Sequence, residues 1–533
     1  MVRGDRVHDM MRSARMRSVR LACVFFALFG VVSSHAEADV LGRVLAAADE
    51  SPGGTPPPQQ SADLTAWAGE ARAITLPELL QITVRQAPAL QSAKIDIAIA
   101  EARIQQTWAR NDWLIQAQLR GARASGIVTS GFTIDKDTRV DGTADLSRTL
   151  PTGGTVDLHL GTSYENSESA LGNNKTWVEE ISGSITQPLF RGRGRALFEA
   201  NEARATLALD VTVLAKRLVA IQAIQAVISA YWDLVLAERT VAITEASLAL
   251  ARERLRVTTI GAEGGKIPRS EIPAVLQIIA TREEDVLNGE LAVLDRSIAL
   301  RRAAGLPIGA GELGLRVATD LETQDQPLEL GPLVERAFAA SPELAELAKQ
   351  DTSATIDIAV TENGLLPQLD AALSFGPTGT AGTFGQSWQN LVELKTISIA
   401  GTLTFSQSLG QNDVRGRARE QRELRRRLAV TAVDLRAQIA QTMTRAVAQI
   451  ELARRRVTLS QQAIDLANQN IKIETDRFNL GKSTNFDVLN RQEDLRQSEL
   501  RKTQALIDWH KAEIVVQALT GDVLPMYGIA LDP

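Results

Sequence analysis

The sequence has few of the residues on which most enzyme sites depend. Its 533 residues include one cysteine, four histidines and only 4% aromatic residues. The cysteine, Cys23, and two of the histidines lie within the first 36 residues, so only His159 and His510 remain, far apart in sequence. Cys/His metal sites and most histidine-based catalysis therefore lack their usual groups. The composition predicts no catalytic residues, no metal site, no cofactor and no enzymatic activity.

A long apolar run is also missing. A membrane-spanning helix needs about 20 consecutive apolar residues, and the longest clean stretch is Leu21–Val32. An arginine-rich segment precedes this stretch and the small residues Ser34 and Ala36 follow it. This order is typical of an export signal, so residues 1–36 are predicted to be a signal peptide. Because the apolar run follows Cys23 instead of preceding it, no lipid anchor is expected.

The charge balance is acidic. The whole chain has a formal net charge of −6, and residues 1–36 carry six positive and two negative charges, so their removal leaves −10. An acidic chain is poorly suited to phosphate backbones. No nucleic-acid partner is therefore expected.

The rest of the chain is a tandem repeat, and this repeat is its most informative feature. Gly265-Lys266 and Gly305 of the first copy match Gly481-Lys482 and Gly521 of the second, with the same spacing. Each copy is predicted to contain short helices, a β-hairpin region, a long helix and a return helix. The predicted organisation is a flexible linker at 37–73, a first repeat at 74–307 (β region 113–190, long helix 195–261, return helix 268–305), a linker at 308–329, a second repeat at 330–521 (β region 367–407, long helix 415–480, return helix 484–520) and a C-terminal tail at 522–533.

The long helices are predicted from two spans without helix breakers. Residues 195–260 and residues 417–480 contain neither proline nor glycine. At about 1.5 Å per residue, each span reaches roughly 95–100 Å as a helix. Helices of this length have no single core to pack against, so they indicate coiled-coil packing.

The β regions alternate apolar and polar residues. Ile397, Ile399, Leu403 and Phe405 alternate with polar or small residues, and the residues around Leu158 do the same. Such segments are typical of transmembrane barrel strands or of a soluble sandwich, and the export signal and long helices favour the barrel. Four strands are predicted, and the turn at 150–154 leaves open a further hairpin. Since open sheet edges are not tolerated in lipid, several copies are expected to share one barrel.

With these features in place, the sequence resembles the outer membrane efflux protein family, the TolC-like channels of Gram-negative bacteria. The segments that carry the resemblance are Gln187-Pro-Leu-Phe-Arg-Gly192, Gln407-Ser-Leu-Gly410, Arg477-Phe-Asn-Leu-Gly-Lys-Ser-Thr-Asn-Phe-Asp-Val-Leu489 and Ala518-Leu-Thr-Gly521. The resemblance implies an α+β membrane protein of the outer membrane with a large periplasmic portion. In such a protein, a β-barrel shared between protomers continues into a long periplasmic α-helical coiled-coil barrel.

The resemblance also implies partners and a function. It implies a homotrimer with a 12-stranded barrel in outer membrane lipid, a periplasmic adaptor (membrane fusion) protein and an inner-membrane pump of the RND or ABC type. The function would be that of a passive conduit in a tripartite efflux or type I secretion system. The alternative is a soluble periplasmic coiled-coil adaptor or scaffold protein, which would have no lipid-facing strands.

Candidate functional residues lie at the turns between the long helices. The resemblance implies that these turns are helix tips that contact the adaptor, and the residues concerned are Gly264, Gly265, Lys266, Gly481, Lys482, Ser483 and Thr484. It places the channel entrance at Asp487 and Asn490, and Glu271 is the repeat mate of Asp487. Copies of Asp487 around a three-fold axis would form an anionic ring. Alternatively, Asp487 and Thr484 form a capping box at a helix start, and both readings stay open.

Overall fold

The computed structural model describes residues 72–129, 132–169, 172–309, 313–317 and 327–529. The predicted signal peptide at 1–36 and residues 37–71 of the predicted linker lie outside this range. The helices are α1 Leu76–Gln86, α2 Pro88–Thr107, α3 Arg195–Phe198, α4 Ala200–Glu263, α5 Glu271–Ala304, α6 Leu330–Ala340, α7 Pro342–Asn363, α8 Phe384–Val392, α9 Asn412–Asn479, α10 Asn485–Thr520 and α11 Val523–Met526. The strands are β1 Arg72–Ile74, β2 Leu114–Thr129, β3 Phe132–Thr149, β4 Thr155–Ser169, β5 Gly172–Pro188, β6 Leu315–Val317, β7 Gln368–Ala381 and β8 Thr396–Ser406.

Each repeat contains one very long continuous helix, as the breaker-free spans predict. Helix α4 has 64 residues and helix α9 has 68 residues, or about 96 and 102 Å at ~1.5 Å per residue. Helix α4 continues through Gly261 and helix α9 includes Gly416. An interior glycine costs only about 1 kcal/mol, which the packing of a long helix can offset.

The start of α4 differs from the predicted position. The sequence predicts a helix from residue 195, whereas the structure separates α3 from α4 at Glu199. Gly194, just before α3, has a positive φ of 114°. The glycine-rich segment that links the sheet to the helices therefore changes direction before the long helix begins.

The main core surrounds the middle of α4. Ile224, Ile228 and Leu234 of α4 are completely buried, and Tyr231 is almost completely buried. They pack with residues from several other elements, including Leu79, Leu80, Leu300 and Ile507. By length and composition alone, α4 is also apolar enough to cross a membrane. Its central apolar residues are instead used in this core.

Segments predicted to be linkers or tail also contribute to the core, which corrects that prediction. Strand β1, at the end of the first linker, pairs in parallel with β6 of the second linker, and Ile74 and Leu315 are buried. Val523 and Leu524 of α11, in the predicted tail, join the same core. These apolar segments are only a few residues long, so the periodic patterns that reveal long elements could not show them.

The β regions form one antiparallel sheet of six strands in the order β2-β3-β4-β5-β7-β8. Residues 397–406 lie in strand β8, as their alternation predicts. The sheet thus contains two more strands than the four that the sequence predicts. The turn at 150–154 connects two long strands, β3 and β4, so the first repeat contributes four strands and the second contributes two.

Candidate functional site

The six-stranded sheet has one mainly apolar face and one polar face; on the mainly apolar face, Thr162 donates to the buried Glu179 at 2.9 Å. Directly paired residues of neighbouring strands share a face, and the registers assign each side chain accordingly. Each strand has a large apolar side chain exposed on one face, namely Leu119, Val140, Leu160, Ile185, Leu373 and Leu403. The opposite face carries polar side chains, for example Gln118, Thr143, His159, Ser182, Ser374 and Thr402.

Charged groups on the polar face pair across the strands. His159 Nδ1 lies 2.6 Å from Asp145 Oδ1, and Arg139 donates to Glu165 at 2.9 Å. The strand register places His159 on this polar face. The pairing with Asp145 could not be predicted, because strand register brings together residues of different strands.

Aromatic side chains lie near both ends of the apolar face. At the end far from the helices, Tyr164 and Trp177 have ring centroids 4.7 Å apart, and Phe384 of α8 lies 5.1 Å from Trp177. At the end next to the helices, the Arg148 guanidinium lies 5.6 Å from the ring of Trp113. Aromatic side chains at the two ends of an apolar band are typical of a sheet that crosses a bilayer.

The sheet is tied to the helices at the turn between β3 and β4. Gly153 has a positive φ of 89°, and a side chain there would meet Gly192 O at 2.2 Å. The backbone N–H of Gly194 donates to Thr152 O at 3.0 Å. Gln187 Nε2 also donates to Thr152 O, at 3.2 Å. The turn is therefore packed against the residues that lead from β5 into α4.

Both tip turns are built in the same way. Gly265 and Gly481 have φ values of 71° and 70°, in the left-handed region that favours glycine. The N–H of Lys266 donates to Gly261 O at 2.8 Å, and the N–H of Lys482 donates to Arg477 O at 2.9 Å. These bonds satisfy carbonyl groups at the end of each long helix. The repeat thus ends each long helix with the same glycine turn.

The two tips lie at the same end of the helices. Arg254 of α4 stacks on Phe478 of α9, with its guanidinium carbon 5.0 Å from the ring centroid. Leu489 of α10 packs with Val275 and Ile279 of α5. The structure therefore brings the glycine turns of both repeats together, together with the exposed Lys266 and Lys482.

Asp487 forms a capping box with Thr484. The Asp487 carboxylate accepts from the Thr484 N–H at 3.0 Å and from its hydroxyl at 2.7 Å, while Thr484 Oγ1 accepts from the Asp487 N–H. These hydrogen bonds to Thr484 lower the pKa of the Asp487 carboxyl. Glu271 lies in the first turn of α5, and its N-cap residue Ser270 makes no side-chain cap bond. Asn490 is exposed on α10.

A buried arginine near the tips was not predicted from sequence. Arg282 of α5 is almost completely buried and donates to Ser247 O of α4 at 2.7 Å. Burial lowers the pKa of its guanidinium, and Glu493 of α10 lies 4.0 Å away. Neither helix alone signals this contact, because it depends on how three helices pack. Within the described residues, no group of three or more His, Cys, Asp or Glu is placed to hold a metal ion.

Comparisons with known proteins agree with this architecture. Residues 333–522 match the family model described as outer membrane efflux protein. The structure is similar to the outer membrane protein VceC from Vibrio cholerae, with a TM-score of 0.60 at 14% identity over 84% of this chain and 96% of that chain. It is also similar to the outer membrane channel CmeC of Campylobacter jejuni, with a TM-score of 0.62 at 12% identity over 89% of this chain and 94% of that chain.

A third similar structure is the open state of the outer membrane channel MtrE from Neisseria gonorrhoeae. Its TM-score is 0.59 at 13% identity, covering 84% of this chain and 89% of that chain. The chain has a TolC-like channel fold. The resemblance seen in the sequence is confirmed by the match of the second repeat and by these structures. Among curated proteins, none matches the chain in sequence.

Proposed function

We propose that the protein is the outer membrane channel of a tripartite efflux or type I secretion system. In this role it is a passive homotrimeric conduit that exports substrates across the periplasm and the outer membrane. The main support for this proposal is the two-faced sheet, which is connected to helices of 64 and 68 residues. An apolar face with aromatic ends suits lipid, the polar face suits a wet lumen, and the helices are long enough to continue the passage through the periplasm.

A second feature of α9 supports assembly from several copies. Its leucine stripe, defined here as Leu452, Leu459, Leu466, Ile473 and Leu480, recurs every seven residues. Each of these side chains is at least 50% exposed. The stripe supplies one of the two apolar positions per seven residues that form a coiled-coil seam, and a second helix can cover it. The chain itself leaves this seam uncovered, and a neighbouring copy of the chain supplies a helix of matching length.

The helix tips are the proposed contact for the periplasmic adaptor. Their exposed residues are Gly264, Gly265, Lys266, Gly481, Lys482 and Thr484, with Ser483 half-buried. Both turns lie side by side, so one partner helix pair can contact them together. The inner-membrane pump, of the RND or ABC type, would act through this adaptor. The efflux family to which residues 333–522 are similar consists of channel proteins, and we propose no bond chemistry for this chain.

Asp487 is the proposed entrance residue, with Asn490 and Glu271 beside the same tips. Its lowered pKa keeps the carboxylate ionised at neutral pH, so three copies would place three negative charges around the axis. The substitution Asp487→Asn removes the charge and keeps an oxygen that can accept from the Thr484 N–H. If the three copies of Asp487 form an anionic ring, the channel of this variant loses its preference for cations. If Asp487 only caps α10, the ion selectivity of the variant equals that of the parent.

Membrane fractionation followed by planar-bilayer recording tests the function. We expect the chain in the outer membrane fraction and discrete conductance steps from the purified protein. A matched preparation that is unfolded by boiling should give none. Recovery of a soluble monomer without conductance would overturn the proposal and favour the soluble adaptor or scaffold.

A further inference from the structure

The sheet contains more strands than the resemblance implies, and this difference has a structural consequence. A homotrimer with a 12-stranded barrel needs four strands from each chain, whereas this chain supplies six. We propose that three copies close an 18-stranded barrel, in which β2 of one copy pairs with β8 of the next. This inference rests on the proposed function.

The two additional strands have the sidedness of barrel strands. Leu119 of β2 and Val140 of β3 are exposed on the same face as Leu160 of β4. On the opposite face, Gln118 and Thr143 are paired neighbours. A hairpin folded into a wet lumen would have polar residues on both faces. The alternation instead places β2 and β3 in the wall, with their apolar side chains towards lipid.

The additional strands are also firmly held in the sheet. Strands β3 and β4 are paired from Thr149–Thr155 at the helix end to Ile134–Ser169 at the far end. Their connecting turn is anchored by the bonds from Gln187 and Gly194 to Thr152. Because β4 already has β3 as its neighbour, its edge is occupied. A 12-stranded barrel would require this pairing to be broken so that β4 could meet another copy.

The free edges of the sheet are compatible with each other. All neighbouring strands are antiparallel, so with six strands β2 and β8 run in opposite directions. A head-to-tail ring of copies therefore continues the antiparallel pattern across each seam. The apolar face is continuous as well, since Leu119 and Leu403 at the two edges lie on the same side. A second copy satisfies the unpaired backbone groups that lipid cannot.

The wider barrel changes where the passage is narrow. Barrel diameter grows roughly linearly with strand number, so 18 strands give about 1.5 times the diameter of 12. At the junction only four elements per copy connect to helices, namely β2, β5, β7 and β8, while the turn at 150–154 closes β3 and β4 without a helix. The barrel is therefore wider than the helical tunnel below it, and the narrow part of the conduit lies in the helices.

Disulfide trapping distinguishes the two barrels. The test uses the assembled protein in a Cys23→Ala background, with Thr402→Cys in β8 and a second cysteine at Gln116, Gln118 or Arg120 in β2. These β2 positions are two residues apart and share the polar face, so together they sample the unknown register. The arm for a 12-stranded barrel combines Thr402→Cys with Asp157→Cys or Ser163→Cys in β4. The matched control is Thr402→Cys with Thr143→Cys, one strand inward from β2.

We expect oxidation to give covalent dimers and trimers from a β2–β8 pair and neither from the β4–β8 pairs nor from the control. Only adjacent strands bring the Cα atoms within the 4.4–6.8 Å that a disulfide allows. Covalent trimers from β4–β8 would overturn the 18-stranded barrel and leave the channel function intact. A protein that is monomeric before oxidation would instead contradict the proposed function.

The size of the barrel can also be measured on the unmodified channel, so the test does not depend on whether the cysteine variants assemble. In planar-bilayer recordings, polyethylene glycols are added only on the side where the sheet ends, which is the side opposite the helix tips. We expect polymers that are too large for a 12-stranded lumen to enter the barrel and lower the conductance from that side. The largest polymer that enters should be about 1.5 times wider than a 12-stranded barrel admits. Exclusion at the 12-stranded size would contradict the inference.

Discussion

Helices α4 and α9 occupy matching places in the two repeats, with 64 and 68 residues, but they differ in what covers them. The central apolar residues of α4 are enclosed by other parts of the same chain, with Ile224 and Leu234 fully buried, whereas Leu250, Val257 and Ile260 near its C-terminal end are exposed. Helix α9 also packs one side into a core, with Met443 and Ile450 buried, while its leucine stripe stays exposed. Both long helices therefore stabilise the protomer, whereas α9 also carries the longer exposed apolar stripe, which provides a surface for assembly.

The largest expected effect is a cavity in the covered helix. Ile224→Ala should lower the free energy of unfolding by about 2–5 kcal/mol, because the removed side chain leaves a void in a packed core. Ile224→Val is the matched control and should cost about 0.5–1.5 kcal/mol. Chemical unfolding followed by helical circular dichroism measures both. Equal, small effects of the two variants would show that α4 is not enclosed within its own chain.

The sheet has an exposed apolar surface too, and here the expected cover is lipid. Leu373→Arg places a charge on the apolar face of β7 and should destabilise the barrel by about 2–4 kcal/mol in a bilayer. Ser374→Arg, the next residue, points to the polar face and should behave like the parent. Urea unfolding in lipid vesicles compares the two variants. Equal stability of both would contradict the assignment of the faces.

The exposed stripe on α9 predicts an effect on assembly without an effect on the protomer. The double variant Leu459→Glu and Leu466→Glu should shift the protein from trimer towards monomer, because two charges would be buried in a coiled-coil seam. Its helical content should be unchanged, since both side chains are exposed in the single chain. Asn468→Glu, on the opposite side of α9, is the control. Native mass spectrometry counts the copies, and a double variant that remains trimeric would disprove the seam.

The smallest expected effect concerns the two tips. Helix α10 begins with the capping box of Thr484 and Asp487, whereas α5 begins without a side-chain cap. Asp487→Ala should loosen the first turn of α10 and leave α5 unaffected. Because hydrogen bonds from Thr484 lower the pKa of Asp487, the cap's contribution is present above the ordinary pKa of an aspartate. It is lost as the pH falls through the lowered value.

Hydrogen exchange at the starts of α5 and α10 measures this difference between the tips. In the parent, protection at the start of α10 should fall on acidification while protection at the start of α5 should not follow the same titration. The Asp487→Ala variant should lose that pH dependence. An unchanged acid-dependent loss of protection in the variant would show that another group controls the turn.

The sequence predicts the long elements well because their signals extend over many residues. Two spans without glycine or proline predict α4 and α9, and the alternation around Leu403 predicts β8. Strands β2 and β3 were harder to find. On the apolar face, β2 has Ala117 and Gly121, and β3 has Gly142 and Ala144, so small residues hide the alternation. Only pairing with β4 shows that these segments are part of the same sheet.

As for the fold, part of the candidate site could be predicted from the sequence and part could not. The repeat locates both tip turns, and the spacing of Thr484 and Asp487 predicts the capping box that the structure contains. The contact of Arg282 with Ser247 and the pairing of His159 with Asp145 depend on helix packing and strand register. Such contacts join residues that lie on different helices or strands. No local pattern encodes them.

Electron cryomicroscopy of the purified wild-type protein in lipid nanodiscs would show the number of copies and strands in one experiment. We expect three copies around one axis, with 18 strands in the lipid layer and the leucine stripes covered by neighbouring helices. A ring with 12 strands and a displaced β2–β3 hairpin would contradict the proposed barrel. A single copy without a lipid belt around the sheet would contradict the channel itself.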